Sequence, residues 1–240
     1  MDARKTILIA DDERSVRSAF KAMLEAEGYD VVLARDGVEA VQKFEETRID
    51  LVLMDVMMPR KNGLVACAEL RRKDPLVPIL FFTAMPTDVS MVSAFGFGAD
   101  DYIAKDRTPE EFISRVKTSL RRSVAIGAAL TRDVEEPGEV WQVGDAVVDF
   151  SDLSIVMGGV ENVFTRSEFL MLKLLMKEPG RYFSYDEIFA ALRGEGYIGD
   201  EGAVRSIVYR LKNKFGSQAS SFVSARGCGY AINADVRRIR

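Results

Sequence analysis

Three carboxylates, a hydroxyl and an ammonium stand at the ends of four short apolar runs in the first half of the sequence. Asp11 and Asp12 follow Thr6–Ala10, and Asp55 follows Leu51–Met54. Thr83 closes the run that begins at Ile79, and Lys105 follows Tyr102–Ala104. Taken singly, each has a plain explanation: Asp12 caps a helix, Asp55 opens a turn, Thr83 is a β-branched strand residue. Taken together, four runs ending in polar groups of complementary type point to chemistry. Crowded carboxylates repel one another, and a hard cation relieves this; Mg²⁺ prefers oxygen ligands and keeps several waters. A carboxylate beside such an ion can attack phosphorus and become an acyl phosphate. The charge gained, roughly −1.5 to −2, then needs donors, which Lys105 and Thr83 supply.

Positioning these groups requires a sheet whose strand ends converge. The runs Thr6–Ala10, Val31–Ala34, Leu51–Met54, Ile79–Phe82 and Tyr102–Ala104 read as strands. Helical spacing separates them: Val16, Phe20, Leu24; then Val38, Val41, Phe44; then Leu64, Cys67, Leu70. A fourth connection, Thr87–Gly98 (α4), is less clearly amphipathic, and a fifth helix (α5) is expected over Pro109–Leu120, with Thr108 as N-cap. Alternating units of this kind predict an α/β fold, a five-stranded parallel sheet covered by helices on both faces. In such open sheets ligands bind beyond the carboxyl ends of the strands, where the polar residues are found.

The character changes over Ser123–Gly138, which has weak periodicity and ends in an acidic Pro-Gly stretch, and reads as a linker that starts helical. Short strand patterns follow at Val140–Val143, Ala146–Phe150, Ser154–Met157 and Val160–Phe164. Helical patterns come next at Ser167–Lys177, Tyr185–Leu192 and Gly202–Phe215, then a strand pair at Phe222–Ala225 and Tyr230–Asn233. The boundaries predicted are 1–122 for the first domain, 123–138 for the linker and 139–240 for an α+β second domain. Within residues 201–240, eight Lys/Arg face two acids, a balance of +6, which leaves −10 for the rest of a chain whose net charge is −4. A basic end on an acidic protein suggests a polyanion site. On Gly202–Phe215, Val204, Val208, Leu211 and Phe215 form an apolar stripe. Arg205, Ser206, Tyr209, Lys212 and Asn213 occupy the opposite side, with Arg210 and Lys214 flanking the stripe. That composition suits a helix in the DNA major groove, its central residues reaching base edges and its flanking cations meeting phosphates. The glycine-rich turn of "SFVSARGCGYAI" presents Arg226 for a minor groove.

Composition excludes other classes. With 48% hydrophobic and 29% charged residues the 240-residue chain is globular. It has no histidine, which rules out a His triad, a His zinc site or a phosphohistidine of its own. Cys67 and Cys228 lie far apart in no metal-binding spacing, and Cys228 reads as a small buried thiol rather than a redox handle. The four-residue apolar run near the N-terminus is too short for a signal peptide or a membrane span, so a cytoplasmic protein with no membrane partner is expected.

The stretches "ADDE", "LVLMDVMMPRKNG", "FFTA" and "GADDYIAK", at their intervals over residues 5–121, resemble the receiver domain of bacterial response regulators. "FTRSEFLMLKLLMKEPGRYFSYDEI" and "SARGCGYAI" resemble the winged-helix effector domain of the OmpR/PhoB subfamily. The resemblance implies a flavodoxin-like receiver followed by a winged helix-turn-helix domain. It makes Asp55 the phosphoacceptor for a sensor histidine kinase, and puts Asp11, Asp12, Asp55 and the backbone carbonyl of Met57 around Mg²⁺. Thr83 and Lys105 become the phosphoryl-binding pair, and Tyr102 the aromatic switch. It further implies a transcription regulator rather than an enzyme. The expected regulator forms a homodimer through the α4-β5-α5 face, where β5 is the strand at Tyr102–Ala104, with Asp100, Asp101 and Arg115 at the interface. It reads direct repeats in double-stranded promoter DNA, with RNA polymerase a further candidate partner.

The sequence departs from that pattern in three places. Met91, Ser93 and Gly96 stand in α4 where charges are expected, which predicts a more apolar dimer surface. Arg205 and Ile207 replace residues usually acidic and His-like in the recognition helix. Asp106 replaces the proline that normally follows the lysine, so a trans Lys105–Asp106 bond is expected, with Asp106 a competitor for the ammonium. The alternative reading is an atypical regulator that binds DNA without phosphorylation. An aspartyl-phosphate hydrolase, the remaining rival, needs a carboxylate two residues after the nucleophile, where Met57 stands.

Overall fold

Five strands, β1 (Thr6–Ala10), β2 (Asp30–Ala34), β3 (Leu51–Met54), β4 (Ile79–Thr83) and β5 (Asp101–Ala104), form one parallel sheet in the order β2-β1-β3-β4-β5. The computed structural model describes residues 4–83, 98–132, 139–193, 201–225 and 227–240. Within these, the side chains of residues 83, 122, 124–132 and 193 are not described. The chain divides into two compact units, Met1–Ser123 and Val124–Arg240.

In the first unit the strands are nearly continuous apolar runs because helices cover both faces of the sheet. Leu51–Met54 is buried throughout. Ile7, Ile9, Leu53, Leu80, Phe82 and Ile103 pack with Phe112, Val116 and Leu120 of α5 in one core. Phe20, Phe82 and Phe112 meet at its centre, with ring centroids 4.3 to 5.5 Å apart. The helices are α1 (Arg14–Ala26), α2 (Gly37–Glu46), α3 (Gly63–Lys73) and α5, which runs Pro109–Arg132, well past the expected end at Leu120. Helix α4 lies outside the described residues. Asp36 caps α2 by accepting from the Val38 and Glu39 amides, and Asn62 caps α3.

The strand order doubles back at β1, which has β2 on one side and β3 on the other. Chains leaving β1 and β3 therefore diverge to opposite faces and open a crevice between their ends. Ala10 pairs with Met54, so Asp11 and Asp55 emerge side by side, tied by the Asp55 amide donating to the Ala10 carbonyl at 2.8 Å.

The second unit begins with β6 (Val140–Val143), β7 (Ala146–Asp149), β8 (Ser154–Met157) and β9 (Val160–Val163), an antiparallel sheet. A strand not expected from the sequence, β12 (Val236–Arg238), adds to its edge by pairing with β6. Three helices follow the sheet, α6 (Arg166–Lys177), α7 (Tyr185–Arg193) and α8 (Glu201–Phe215), and then a hairpin of β10 (Phe222–Ala225) and β11 (Gly229–Ile232). Thr165 and Glu168 form a capping box at the start of α6. The hairpin is pinned at its base: Phe183 and Tyr230 exchange backbone hydrogen bonds of 2.8 and 3.0 Å. A side chain at Gly229 would collide with the Phe183 carbonyl, 1.9 Å from an added Cβ. This is a winged helix-turn-helix domain.

Candidate functional site: an acidic pocket and a reading helix

At the crevice, carboxylate oxygens of Asp11, Asp12 and Asp55 lie within 4.8 Å of one another. Asp11 and Asp55 are buried and Asp12 is exposed, so the cluster opens to solvent on one side. Lys105 closes another side, its Nζ 2.6 Å from Asp11 Oδ2 and 2.9 Å from Asp55 Oδ2. Burial pushes the Asp11 carboxyl above its ordinary pKa, outweighing the Lys105 ammonium and the Glu13 amide that pull the other way. For Lys105, burial opposes the charge, but Asp11 and Asp55 together hold the ammonium above its ordinary value. Asp55 Oδ1 is buried and has no hydrogen-bond partner among the described residues. An oxygen-lined, electron-rich site with an unclaimed carboxylate oxygen fits a hard divalent cation such as Mg²⁺.

Backbone geometry around Asp55 is tight. Gly63, the first residue of α3, would place a Cβ 2.0 Å from the Asp55 carbonyl oxygen, so only glycine permits this approach. Between them, Met57 is 74% exposed and Arg60 adopts φ 61°, a left-handed conformation. Arg60 pairs with the buried Asp36 carboxylate, and the Gly37 amide donates to the Lys61 carbonyl at 3.1 Å. The loop after Asp55 is thus latched to the start of α2, an arrangement that sequence reading missed.

Thr83 ends β4 beside Ala104, which brings it next to Lys105 in the register; its side chain is outside the described atoms. Tyr102 is half-buried, and its hydroxyl is enclosed without a hydrogen-bond partner among the described residues. Burial, with the nearby Asp55 and Asp106 charges, pushes this phenol up to about 12. The Lys105–Asp106 peptide is trans. Asp106 is exposed, and the lysine pairs with Asp11 and Asp55 instead of its neighbour.

Several expected positions are corrected. Asp100, expected on a dimer surface, is buried; its carboxylate pairs with Arg71 of α3 and accepts the Ile79 amide at 2.9 Å. Arg71 also donates to the Gly98 carbonyl at 2.7 Å, so the pair clamps the start of β5 to α3. Asp101 and Arg115 pair within the chain at 3.4 Å, and Arg115 also meets Glu111 at 3.2 Å. Met91, Ser93 and Gly96 lie outside the described residues. Cys228 is exposed rather than buried, between Gly227 and Gly229, which both have positive φ.

On α8 the expected apolar stripe is buried, but so are Ala203, Ser206 and Ile207, because the helix packs against more than one neighbour. Ser206 therefore leaves the reading face. Arg210 and Lys214 do not flank it as free cations either. Both reach back to Glu168, wholly buried on α6, at 2.7 and 2.5 Å. Burial alone would raise the Glu168 pKa; the Arg210 and Lys214 charges hold it below the ordinary value. Arg205, Tyr209 and Asn213 stay exposed at i, i+4, i+8, with Lys212 partly so. Arg226 lies outside the described residues. The Thr165–Glu168 spacing signals a capping box in the sequence; that the same glutamate anchors two cations of α8 carries no local signal.

No helix among the described residues is long and apolar enough to cross a membrane. Residues 7–117 match the response regulator receiver domain family, and residues 159–232 match the family described as transcriptional regulatory protein, C terminal. The alkaline phosphatase synthesis transcriptional regulatory protein PhoP of Bacillus subtilis (strain 168) is 32% identical over 232 residues, covering 95% of this chain and 96% of that protein. Two solved structures of RitR mutants share the fold, with TM-scores of 0.75 and 0.72 at 20% and 19% identity, covering 96% of this chain and 100% of each. With a receiver-type acidic pocket in one unit and a winged helix in the other, the chain belongs to the two-component response regulators whose DNA-binding domain is of the OmpR/PhoB type.

Proposed function

We propose that Asp55 accepts a phosphoryl group from a sensor histidine kinase and that this controls promoter binding by the second unit. The observation that carries the reading is the double reach of Lys105, 2.6 Å from Asp11 and 2.9 Å from Asp55, beside a third carboxylate at Asp12. Asp11, Asp12 and Asp55, with the Met57 carbonyl, are the residues that would hold Mg²⁺, which would supply neutralising charge for the carboxylates and the incoming phosphoryl oxygens. Asp55 attacks phosphorus, and the bond to the donor histidine nitrogen breaks as the acyl phosphate forms. Lys105, already charged and preorganised, then donates to a phosphoryl oxygen instead of the carboxylate it holds at rest. Thr83 is the second donor.

Tyr102 is the switch residue in this reading. Its enclosed hydroxyl, without a partner among the described residues, costs free energy that a new partner would recover. The same proposal includes homodimerisation through the α4-β5-α5 face, with Asp101 and Arg115 the members of the expected trio left near that surface. Two receivers paired this way raise the effective concentration of two winged helices on direct repeats. Arg205, Tyr209, Lys212 and Asn213 read the DNA, RNA polymerase is the downstream partner, and the protein works in the cytoplasm.

The test is to treat wild type and Asp55→Asn with a small phosphodonor and Mg²⁺, then measure binding to the protein's own promoter DNA. Donor-dependent tightening in wild type only is the expected result. Equal binding by both proteins, with and without donor, would mean a regulator that acts without phosphorylation.

A further inference from the structure

The loop between Asp55 and α3 is tied down along its length. The Gly63 amide donates to the Val56 carbonyl at 2.9 Å, and the Gly37 amide donates to the Lys61 carbonyl at 3.1 Å. Lys61 Nζ reaches Glu69 of α3 at 2.5 Å. Between these ties stands the ion pair of Arg60 with Asp36. The guanidinium Nε donates to Oδ2 at 2.7 Å, and Nη2 donates to the same oxygen. Asp36 offers a fixed base for this grip. It is buried, and its other oxygen accepts the Val38 and Glu39 amides at 2.8 and 3.0 Å as the cap of α2. Burial alone would raise the Asp36 pKa; the Glu39 amide and the Arg60 guanidinium hold it below the ordinary value, so the carboxylate is charged at neutral pH.

Arg60 needs such a partner. Its φ of 61° is left-handed, a conformation that strains an arginine but not a glycine. Strain of this kind persists only where the surroundings enforce it, and it concentrates at functional sites. Met57, three positions earlier, is 74% exposed, so burial of its side chain does not fix the loop there. In the pocket as read above, the Met57 carbonyl is an Mg²⁺ ligand. Mg²⁺ demands near-ideal octahedral geometry from its oxygens, so a small displacement of one ligand weakens the site. A loop already held in place need not be ordered when the ion arrives.

We propose that the Asp36–Arg60 pair positions the Met57 carbonyl for Mg²⁺ and so sets how tightly the acidic pocket takes the ion. The inference rests on the reading of that pocket as an Mg²⁺ site. Asp36 and Arg60 act through the loop and are positioning residues. The sign of the effect separates position from charge. Deleting the positive charge of Arg60 would by Coulomb attraction favour a nearby cation, whereas releasing the loop disfavours it.

The test is isothermal titration calorimetry of the full-length protein with Mg²⁺ alone, beside urea unfolding of each metal-free variant. Wild type is compared with Arg60→Gly, with the double variant Arg60→Gly/Asp36→Asn, and with Asp12→Asn. Glycine adopts the left-handed backbone freely, so Arg60→Gly removes the guanidinium without opposing the turn. It is expected to raise the Kd for Mg²⁺ by about tenfold. The double variant restores the net charge and strands no carboxylate, and asparagine caps a helix as aspartate does. It is expected to regain the stability that Arg60→Gly loses but not the affinity for Mg²⁺. Wild-type affinity in both variants overturns the proposal and leaves the pocket standing, whatever their stability. So does tighter binding by Arg60→Gly, the signature of charge, or affinity that returns in step with stability in the double variant. Asp12→Asn is the control on the pocket and is expected to weaken Mg²⁺ binding. No saturable binding by wild type, or equal binding by wild type and Asp12→Asn, overturns the reading of the pocket and the proposal with it.

Discussion

The Nε of Arg210 donates to the Glu168 carboxylate at 2.7 Å, joining the middle of α8 to the first turn of α6 where the glutamate has no solvent contact. Lys214 completes the arrangement from one turn further along. Removing one member of a buried ion pair strands the other and costs about 3–5 kcal/mol. Glu168→Gln should therefore lower the unfolding free energy of the second unit by that order, seen as a lower urea midpoint, and the wild type should show the matching pH dependence. The Glu168 pKa is lowered by its partners, so its contribution is present above the ordinary glutamate value and is lost as pH falls through the lower folded value. A midpoint unchanged by the mutation at neutral pH would show that the pair holds nothing in place.

Asp11 works in the opposite sense. Burial raises its pKa, so ionising it opposes folding as pH rises past the ordinary aspartate value. Asp11→Asn is expected to raise the melting temperature of the metal-free receiver at neutral pH and to show none of the further increase expected of wild type with Mg²⁺. Thermal melts with and without Mg²⁺ check both halves; a mutant that melts lower without metal contradicts the first.

Asp100 belongs to the interior. Asp100→Ala leaves Arg71 buried without its carboxylate, and a loss of about 3–5 kcal/mol in receiver stability is expected. The reverse outcome, normal stability with impaired dimerisation in sedimentation velocity, would restore Asp100 to the surface.

Gly63→Ala forces a methyl against the Asp55 carbonyl, with a typical overpacking cost of about 1–3 kcal/mol. Since the displaced carbonyl belongs to the proposed phosphoacceptor, the rate of phosphorylation by a small donor should fall in step with stability. A destabilised variant phosphorylated at the wild-type rate would sever that connection.

On the second unit, Ser206→Ala should leave DNA affinity untouched because the hydroxyl is buried. Tyr209→Ala, 64% exposed on the reading face, should cost about 1–3 kcal/mol against the preferred site. Lys212→Ala should weaken all sequences alike and reduce the salt slope by about 1. Fluorescence anisotropy across salt concentrations separates the three.

The pocket was legible because its residues end strands: each position is fixed by an apolar run that periodicity identifies, and topology then brings the ends together. Asp100 was misread because it lies just before β5, outside the alternating register. The partner that makes it internal, Arg71, is 29 positions away on another element. Ser206, Arg210 and Lys214 were misread for a related reason. A helical wheel locates one buried stripe, but α8 is enclosed more widely, and a buried carboxylate on α6 recruits its cations. The Asp36–Arg60 latch likewise depends on a left-handed residue, for which Arg60 gives no compositional hint. Strand β12 escaped because its three residues include two arginines; its pairing with β6 makes it a strand, not its composition.

That last strand also decides how the second unit would yield to force. The Val140 amide donates to the Arg240 carbonyl at 3.1 Å, and Arg238 stands opposite Trp141 in the antiparallel register. Val140 and Arg240 therefore lie at the same end of the ladder. A pull applied between them loads its rungs one after another, as a zipper opens, rather than all at once. The mechanical weak point of this unit is the seam where its last strand meets its first, and β12 would peel away there while the ties of Glu168 to Arg210 and Lys214 still held α8 against α6.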